Sequence, residues 1–141
     1  MARRDSPTKG FLLDTAVLVW FVNGDDRLSA QVVDLLQHTE APVYLSAASM
    51  YELAFKYAQG KVPEAEPLIE RFKQVKFLYH LSELDVTCAA ARLAASFERD
   101  SDVSDPLRNM VAAQAMTEGL VLVTTDDCDD LLGLEYLSAM A

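Results

Sequence analysis

The feature that most constrains the fold is a short apolar run, Phe11-Leu12-Leu13, that ends on Asp14. A run of this length predicts a strand buried on both faces, and the apolar stretch at 16–22 is long enough for a helix. We therefore expect Asp14 at the carboxyl end of a strand. In open α/β sheets, ligands bind at that edge, because strand ends and helix starts converge there on a crevice. A single carboxylate at this edge is unremarkable, so its meaning depends on whether other acidic residues join it.

Strand-like and helix-like segments alternate along the rest of the chain. Predicted strands lie at 10–14, 42–45, 77–81, 120–124 and 135–137. One predicted helix follows the first strand and ends near residue 23, and others lie at 30–38, 47–59, 63–75, 85–99 and 106–118, with a short one ending at 132. This alternation predicts an α/β fold with a mostly parallel sheet covered on both faces. The polar residues 1–9 predict a flexible arm, which leaves 10–141 as a single domain.

Composition limits the classes of function. The chain has 141 residues, of which 51% are hydrophobic, and this is enough for one core. The net charge of -10 argues against binding nucleic acid through a broadly basic surface, so any such role needs metal ions or a local cationic patch. The two cysteines suggest no disulfide framework and fit a reducing cytosol. No uninterrupted apolar stretch is long enough to span a bilayer, so we expect a cytoplasmic protein without a membrane partner.

Several acidic residues are predicted to meet at one edge of the sheet. Asp14 and Asp126 both follow buried strands, and the carboxyl ends of parallel strands share an edge. Glu52 could join them from the helix after the second strand, and Asp105 from the start of the helix at 106–118. Crowded carboxylates repel one another unless a cation neutralises them, and hard oxygen ligands suit Mg²⁺ or Mn²⁺. Such a cluster commonly activates water for attack on a phosphodiester.

Each of these acids also has an ordinary structural interpretation. A lone Asp at a strand end is most often a helix cap or a turn former. Glu52 and Lys56 stand four residues apart, the spacing of a common ion pair on a helix surface. Position alone therefore does not distinguish a metal site from capping and surface pairing.

Four sequence blocks together carry a resemblance to a known family. They are Leu-Leu-Asp-Thr at 12–15, Val-Tyr-Leu-Ser-Ala-Ala-Ser-Met-Tyr-Glu-Leu-Ala-Phe-Lys at 43–56, Asp-Pro-Leu-Arg-Asn-Met-Val-Ala-Ala-Gln-Ala at 105–115, and Gly-Leu-Val-Leu-Val-Thr-Thr-Asp at 119–126. In these blocks the chain resembles the PIN-domain ribonucleases, specifically the VapC-type toxins of toxin–antitoxin pairs. The blocks occur in the family's order and span nearly the whole chain from residue 11.

The resemblance implies both an architecture and a site. The implied fold is a three-layer α/β/α sandwich in which a quartet of acids binds Mg²⁺ or Mn²⁺ and cuts RNA. The resemblance carries the first acid onto Asp14, the second onto Glu52 and the last onto Asp126. It places hydroxyl groups nearby, those of Thr15 and of Thr124 or Thr125. It also implies a cognate antitoxin that masks the site, and frequently a homodimer.

One position departs from the family's pattern. The block at 105–115 usually reads Asp-Pro-aromatic-Asp-Arg, and its second Asp belongs to the metal site, but here that position is Arg108. A cation in the first turn of a helix is disfavoured by the helix dipole by about a few tenths of a kcal/mol, so helix stability does not explain the Arg. Three consequences stay open. Asp105 could replace the missing ligand, Arg108 could pair with Asp14 or Asp126 and weaken the site, or Arg108 could hold an RNA phosphate.

The same departure leaves two functions open. The first is a metal-dependent endoribonuclease toxin controlled by an antitoxin. The alternative is a PIN-fold protein with weakened or lost catalysis that acts as an interaction or RNA-binding module.

Overall fold

The computed structural model describes residues 8–97, 105–128, 131 and 133–140. Within these residues, five parallel strands form one sheet in the spatial order β3-β2-β1-β4-β5. The strands are β1 (Phe11–Leu13), β2 (Val43–Ser46), β3 (Leu81–Leu84), β4 (Val121–Thr124) and β5 (Tyr136–Ser138). The predicted α/β class with a parallel sheet is confirmed.

The helices follow the strands in sequence. They are α1 (Thr15–Asn23), α2 (Ala30–His38), α3 (Ala47–Ala58), α4 (Glu66–Glu70), α5 (Phe72–Tyr79), α6 (Cys88–Ser96) and α7 (Pro106–Glu118), with a 3₁₀ turn at Pro63–Ala65. Several begin where a side-chain oxygen accepts a hydrogen bond from the first helical turn: the caps are Asp14, Ser29, Ser46, Thr87 and Asp105. Helices α1 and α7 end at Gly24 and Gly119 in the left-handed conformation, with φ of 63° and 69°.

The two faces of β1 separate two cores. Successive strand residues point to opposite faces of a sheet. Phe11 and Leu13 pack with α1 and α2, whereas Leu12 packs on the other face with Val111 and Ala112 of α7. Helix α6 covers α7 through small side chains, Ala90, Ala94 and Ala113. The molecule is therefore a three-layer α/β/α sandwich, as the resemblance implied.

Strand order creates a crevice at one edge of the sheet. From β1 the chain moves to β2 and β3 on one side, and it then returns to place β4 on the other side of β1. Helix α1 follows β1, and the residues that follow β4 lie on the other side of this reversal, so a crevice opens between them at the carboxyl ends of the strands. Leu13 pairs with Val123, so Asp14 and Thr124 follow at neighbouring positions of this edge.

Two predicted elements in the middle of the chain were wrong. The strand predicted at 77–81 is the last turn of α5, and β3 begins only at Leu81. His80 has φ of 55° and ends the helix, while Phe77 and Leu78 are exposed by 79% and 68%, unlike residues of a buried strand. The single helix predicted at 63–75 is divided between the 3₁₀ turn, α4 and α5, because the backbone leaves the helical region at Arg71 (φ -135°, ψ 44°).

Other predictions differ in extent or fall on residues that are not described. The helix predicted at 85–99 is α6, which starts after the cap at Thr87 and ends at Ser96. The loop predicted at 100–104 and most of the N-terminal arm lie outside the described residues, as does Leu132 at the end of the predicted short helix. In the described part of the chain, no helix combines the length and the apolar character needed to cross a membrane.

Candidate active site

A pocket of about 410 Å³ lies at the carboxyl edge of the sheet, where the strand order reverses. Its walls come from β4, α1, α3 and α7 and from the turns after β1 and β4. All the residues that the sequence singled out for this site line the pocket: Asp14, Thr15, Glu52, Asp105, Arg108, Thr124, Thr125 and Asp126. Four separate segments of the chain therefore converge here, as the predicted edge required.

Asp14 is fixed in place by uncharged donors. It caps α1, because its Oδ1 accepts a hydrogen bond from the Val17 amide at 3.0 Å. Its Oδ2 accepts a hydrogen bond from the Thr124 hydroxyl and a longer one, 3.4 Å, from the Thr125 amide. Burial raises the pKa of Asp14 above its ordinary value, and the charge of Asp126 adds to this, although the three hydrogen bonds act in the opposite direction. Asp14 is thus both the expected helix cap and a perturbed acid in a pocket.

Asp126 forms an ion pair with a basic side chain of the protein, Arg108. The Arg108 Nε lies 2.8 Å from Asp126 Oδ2, in an ion pair whose side chains are 38% and 44% exposed. The Arg108 Nη2 also reaches the Cys128 sulfur at 3.9 Å. Of the consequences expected for Arg108, an ion pair with a pocket acid is present, and its partner is Asp126.

Asp105 serves as the cap of a helix. Its Oδ1 accepts a hydrogen bond from the Arg108 backbone amide at 3.1 Å and so caps α7. Asp105 lines the pocket but is exposed. Pro106 at the first helical position and the Asp105 cap confirm the predicted start of this helix.

Glu52 faces the pocket from the middle of α3. Its Oε2 lies 2.7 Å from Lys56 Nζ, which is the ordinary pair that the spacing predicted, but the Glu52 side chain is only 18% exposed. Its helix neighbours Tyr51 and Phe55 are exposed instead, by 66% and 56%, and stack on each other. Glu52 therefore does not face bulk solvent, and it shares the pocket with Asp14 and Asp126.

Polar residues behind the acids connect the elements that carry them. Thr15 and Ser49 share a hydrogen bond of 2.8 Å between their hydroxyl oxygens, which joins the first turn of α1 to α3. Thr124 accepts a hydrogen bond from the Asp126 amide at 3.0 Å while donating to Asp14, so one hydroxyl links the two acids. The sequence reasoning did not identify Ser49. Its position three residues before Glu52, on the same face of the helix, was the available signal.

A buried amide supports the far wall of the site. Gln114 of α7 is 1% exposed, and its Oε1 accepts a hydrogen bond from the Ser46 hydroxyl at 2.6 Å. Its Nε2 donates to the Asp85 carbonyl at 3.2 Å. Gln114 therefore holds α7 against the end of β2 and the segment after β3. The sequence reasoning missed it, because nothing local distinguishes it from a surface Gln.

The pocket has the right kind of ligand for a divalent cation, but these ligands are already engaged. Asp14, Glu52 and Asp126 offer carboxylate oxygens, which are hard ligands suited to Mg²⁺ or Mn²⁺. Among the residues that the structure describes, no three acids, histidines or cysteines are close enough together to hold a metal ion. Arg108 and Lys56 each bind one of the acids. The carboxylate oxygens of the pocket are thus chemically suited to such an ion. To bind there, the ion would have to displace Lys56 from Glu52 and Arg108 from Asp126.

Comparison with known proteins agrees with this architecture. No curated protein sequence matches the chain. Among solved structures, VapBC2 from Rickettsia felis, bound to a DNA fragment from its promoter, contains a chain with 18% identity and a TM-score of 0.68, covering 92% of this chain and 98% of its own. DNA-bound VapBC from Salmonella typhimurium gives 21% identity and a TM-score of 0.65, with 92% and 97% coverage. VapBC-5 from Mycobacterium tuberculosis, a member of the VapBC family of toxin-antitoxin systems, gives 19% identity and a TM-score of 0.56, covering 93% of this chain and 99% of its own.

These matches, at low identity but nearly full coverage, are similarities of fold. The sequence comparison is more direct, because the PIN domain family model matches residues 11–129. That interval includes all the pocket acids, from Asp14 to Asp126. The chain therefore belongs to the PIN domain family.

Proposed function

We propose that the protein is an endoribonuclease toxin of the VapC type, which uses Mg²⁺ or Mn²⁺ to hydrolyse phosphodiester bonds in RNA and is inhibited by a cognate antitoxin. The observation that carries the proposal is that Asp14, Glu52 and Asp126, from three distant parts of the chain, line one pocket at the strand ends. Acids at this crevice, in a PIN domain, suit metal-assisted hydrolysis.

In the proposed site, Asp14, Glu52 and Asp126 would hold the cation. They would first have to leave their present partners and move closer together, since no three of the described acids are close enough to hold a metal ion. Asp105 is the weakest of the proposed ligands, because its Oδ1 caps α7 and its side chain is exposed. When bound, the cation would supply a water of lowered pKa and stabilise the leaving oxygen. Thr124 would orient two acids at once, through its hydroxyl contact with Asp14 and its contact with the Asp126 amide.

Substrate contacts are proposed for the residues around Asp14. Thr15 and Thr125 line the pocket beside it. The chain is acidic overall, so RNA must approach a local positive region. Lys56 and Arg108 line the same pocket, and they would supply that region once a bound cation takes over their partners Glu52 and Asp126.

Partners and location form part of the same proposal. Structural neighbours named VapBC, one of them described as belonging to a family of toxin-antitoxin systems, support a protein antitoxin as the inhibitor. The resemblance to VapC-type toxins supports a homodimer in the cytoplasm.

Cleavage of RNA by the purified chain tests the proposal. We expect cleavage in Mg²⁺ or Mn²⁺ that stops in EDTA, and we expect Asp14→Asn to reduce the rate by roughly a hundredfold or more. Asn retains the ability to cap α1, so the variant should fold. Asp34→Asn is the matched control, since Asp34 is 78% exposed on α2 and lies outside the pocket. Cleavage by Asp14→Asn at the wild-type rate would refute the assignment.

A second function is favoured by one specific observation. The ion pair between Arg108 and Asp126 occupies a pocket acid with a cation of the chain itself, as expected of a protein with weakened or lost catalysis. Such a protein would act as an interaction or RNA-binding module. In the same assay it would leave RNA intact in every metal, with wild type and Asp14→Asn indistinguishable, while still binding RNA or antitoxin.

A further inference from the structure

The Arg27 guanidinium lies over the Trp20 ring in the wall of the pocket, and this pair is called the stack below. Trp20 lies in α1 and is partly buried against the core. Arg27 lies in the turn after α1, and its guanidinium carbon is 4.7 Å from the centre of the Trp20 ring. Both side chains line the pocket that contains the acids. The stack is therefore part of the same concave surface, and none of the roles proposed so far accounts for its shape.

Asp25 fixes the orientation of the guanidinium. Its Oδ2 lies 2.7 Å from Arg27 Nη2 and its Oδ1 lies 3.1 Å from Arg27 Nε, and Oδ1 also accepts a hydrogen bond from the Arg27 amide at 2.9 Å. These contacts lower the pKa of Asp25 to about 2, so the partner is ionised at neutral pH. The Arg27 side chain is nevertheless 60% exposed. Asp25 balances the charge of Arg27 and holds one edge of its guanidinium group. The flat guanidinium lies over the Trp20 ring and offers a planar surface to the pocket.

The stack lies at a suitable distance from the acids. Helix α1 begins directly after Asp14, and Trp20 is six residues further along, about 9 Å along the helix axis. Thr15, Ala16 and Val19, which also line the pocket, are the α1 residues that lie between these two ends on the pocket side. A nucleotide next to a phosphate at Asp14 could therefore place its base over the stack.

We propose that Trp20 and Arg27 form a stacking platform for an unpaired nucleobase adjacent to the cleaved phosphate. The inference rests on the ribonuclease function proposed above. Bases of single strands are free to stack on aromatic rings and guanidinium planes, whereas bases within a duplex are already paired and stacked. A platform also suits an acidic protein, because stacking provides affinity without a further phosphate contact.

The experiment uses Trp20 as its own reporter, because it is the chain's single tryptophan. The full chain carrying Asp14→Asn, which slows turnover, is titrated in Mg²⁺ with a short single-stranded oligoribonucleotide while Trp20 emission is followed. We expect a saturable change in emission. We expect Arg27→Ala to weaken binding roughly tenfold, the effect typical of losing one base stack. Arg27→Lys, which keeps the charge but not the plane, should weaken it similarly.

Two controls separate stacking from other causes. Arg71→Ala removes an exposed Arg that pairs with Glu66 outside the pocket, and it should leave the dissociation constant unchanged. An oligomer of the same length made of abasic residues should bind weakly and be insensitive to Arg27→Ala. Thermal unfolding of each variant shows that the fold is retained.

Several results would overturn the platform. Wild-type binding by Arg27→Lys would indicate a charge contact, and equal binding of the abasic or duplex oligomer would show that no base is read. An emission change caused by a peptide but by no RNA would assign the surface to a protein partner. Cleavage of RNA by the wild type, together with unaltered binding by Arg27→Ala, would refute the platform and leave the ribonuclease proposal standing. Absence of both binding and cleavage would refute both.

Discussion

Asp14 and Asp126 are the same residue type at the ends of neighbouring parallel strands, yet their surroundings make them chemically different. Asp14 follows β1 in the middle of the sheet, accepts hydrogen bonds from two amides and a hydroxyl, and has a raised pKa because it is buried. Asp126 lies beyond β4 with its side chain 44% exposed and pairs with Arg108. The Asp14 carboxylate has no cationic partner, and burial disfavours its charged form. The charge of Asp126, by contrast, is balanced by Arg108.

The difference follows from what comes after each strand. Helix α1 starts immediately after Asp14, so this residue must cap the helix and is drawn under its first turn. One residue, Thr125, separates β4 from Asp126, which leaves the Asp126 side chain at the mouth of the pocket, within reach of α7. The two acids should therefore respond differently to a change of partner. Replacing the cationic partner of Asp126 should free that acid for a divalent cation, whereas removing an uncharged donor to Asp14 should raise the pKa of Asp14.

The largest expected effect is on the Asp126 side. Arg108→Asp removes the competing cation and adds a carboxylate, so we expect Mn²⁺ affinity to rise roughly tenfold or more, because affinity follows the number of charged ligands. Asp in the first turn of α7 is favoured by the helix dipole, so the fold should be retained. Isothermal calorimetry measures the change. Arg71→Asp, outside the pocket, should not alter the affinity, and identical Mn²⁺ binding by Arg108→Asp and wild type would contradict the competition.

The next effect concerns stability without metal. The pKa of Asp14 in the folded protein lies above its ordinary value of 3.8, so the unfolded chain loses this proton first as pH rises. Folding stability contributed by Asp14 therefore falls as pH rises from near 3.8 through the folded pKa, and the deficit persists at neutral pH. Asp14→Asn should relieve it, making the variant more stable than wild type in EDTA at neutral pH.

Urea unfolding of both proteins measures this effect, and the advantage of Asp14→Asn should shrink toward about pH 4. Asp126→Asn is the matched comparison. It loses a partly exposed ion pair and the charge that contributes least to the raised pKa of Asp14, so its stability should change by less than about 1 kcal/mol. A destabilised Asp14→Asn at neutral pH would mean that the hydrogen bonds to the ionised carboxylate outweigh its desolvation.

Much of this comparison could be expected from sequence, because it depends on simple geometry. Buried runs ending at Asp14 and near Asp126 had to meet once the strands were parallel. The helix starting at Ser46 brought Glu52 to the same edge, and the caps at Asp14 and Asp105 follow from local chemistry. The choice of partner for Arg108 was not predictable, since Asp14 and Asp126 are both near and the outcome depends on which one already has donors.

The errors have a different origin. The apolar residues from Phe77 to Leu81 are too few for their spacing to distinguish a buried strand from the exposed end of α5. The stack of Trp20 on Arg27 depends on the turn after Gly24, whose left-handed conformation reverses the chain toward α1. A contact between a helix and the loop that follows it leaves no periodic pattern in the sequence. These features are set by tertiary structure, and sequence patterns do not report them.

The smallest expected effect comes from the hydroxyl that connects the two acids. Thr124 is 1% exposed, and its hydrogen bond lowers the pKa of Asp14. Thr124→Val keeps the shape but removes that bond, so the pKa of Asp14 should rise further, and the unfolding free energy should fall by about 1 kcal/mol. NMR titration of the Asp14 carboxyl carbon and urea unfolding measure the two changes. Thr125→Val is the control, because Thr125 contacts Asp14 through its amide and should leave the titration unchanged. An unshifted Asp14 in Thr124→Val would show that the amides alone hold this carboxylate, and the link between the acids would then be structural only.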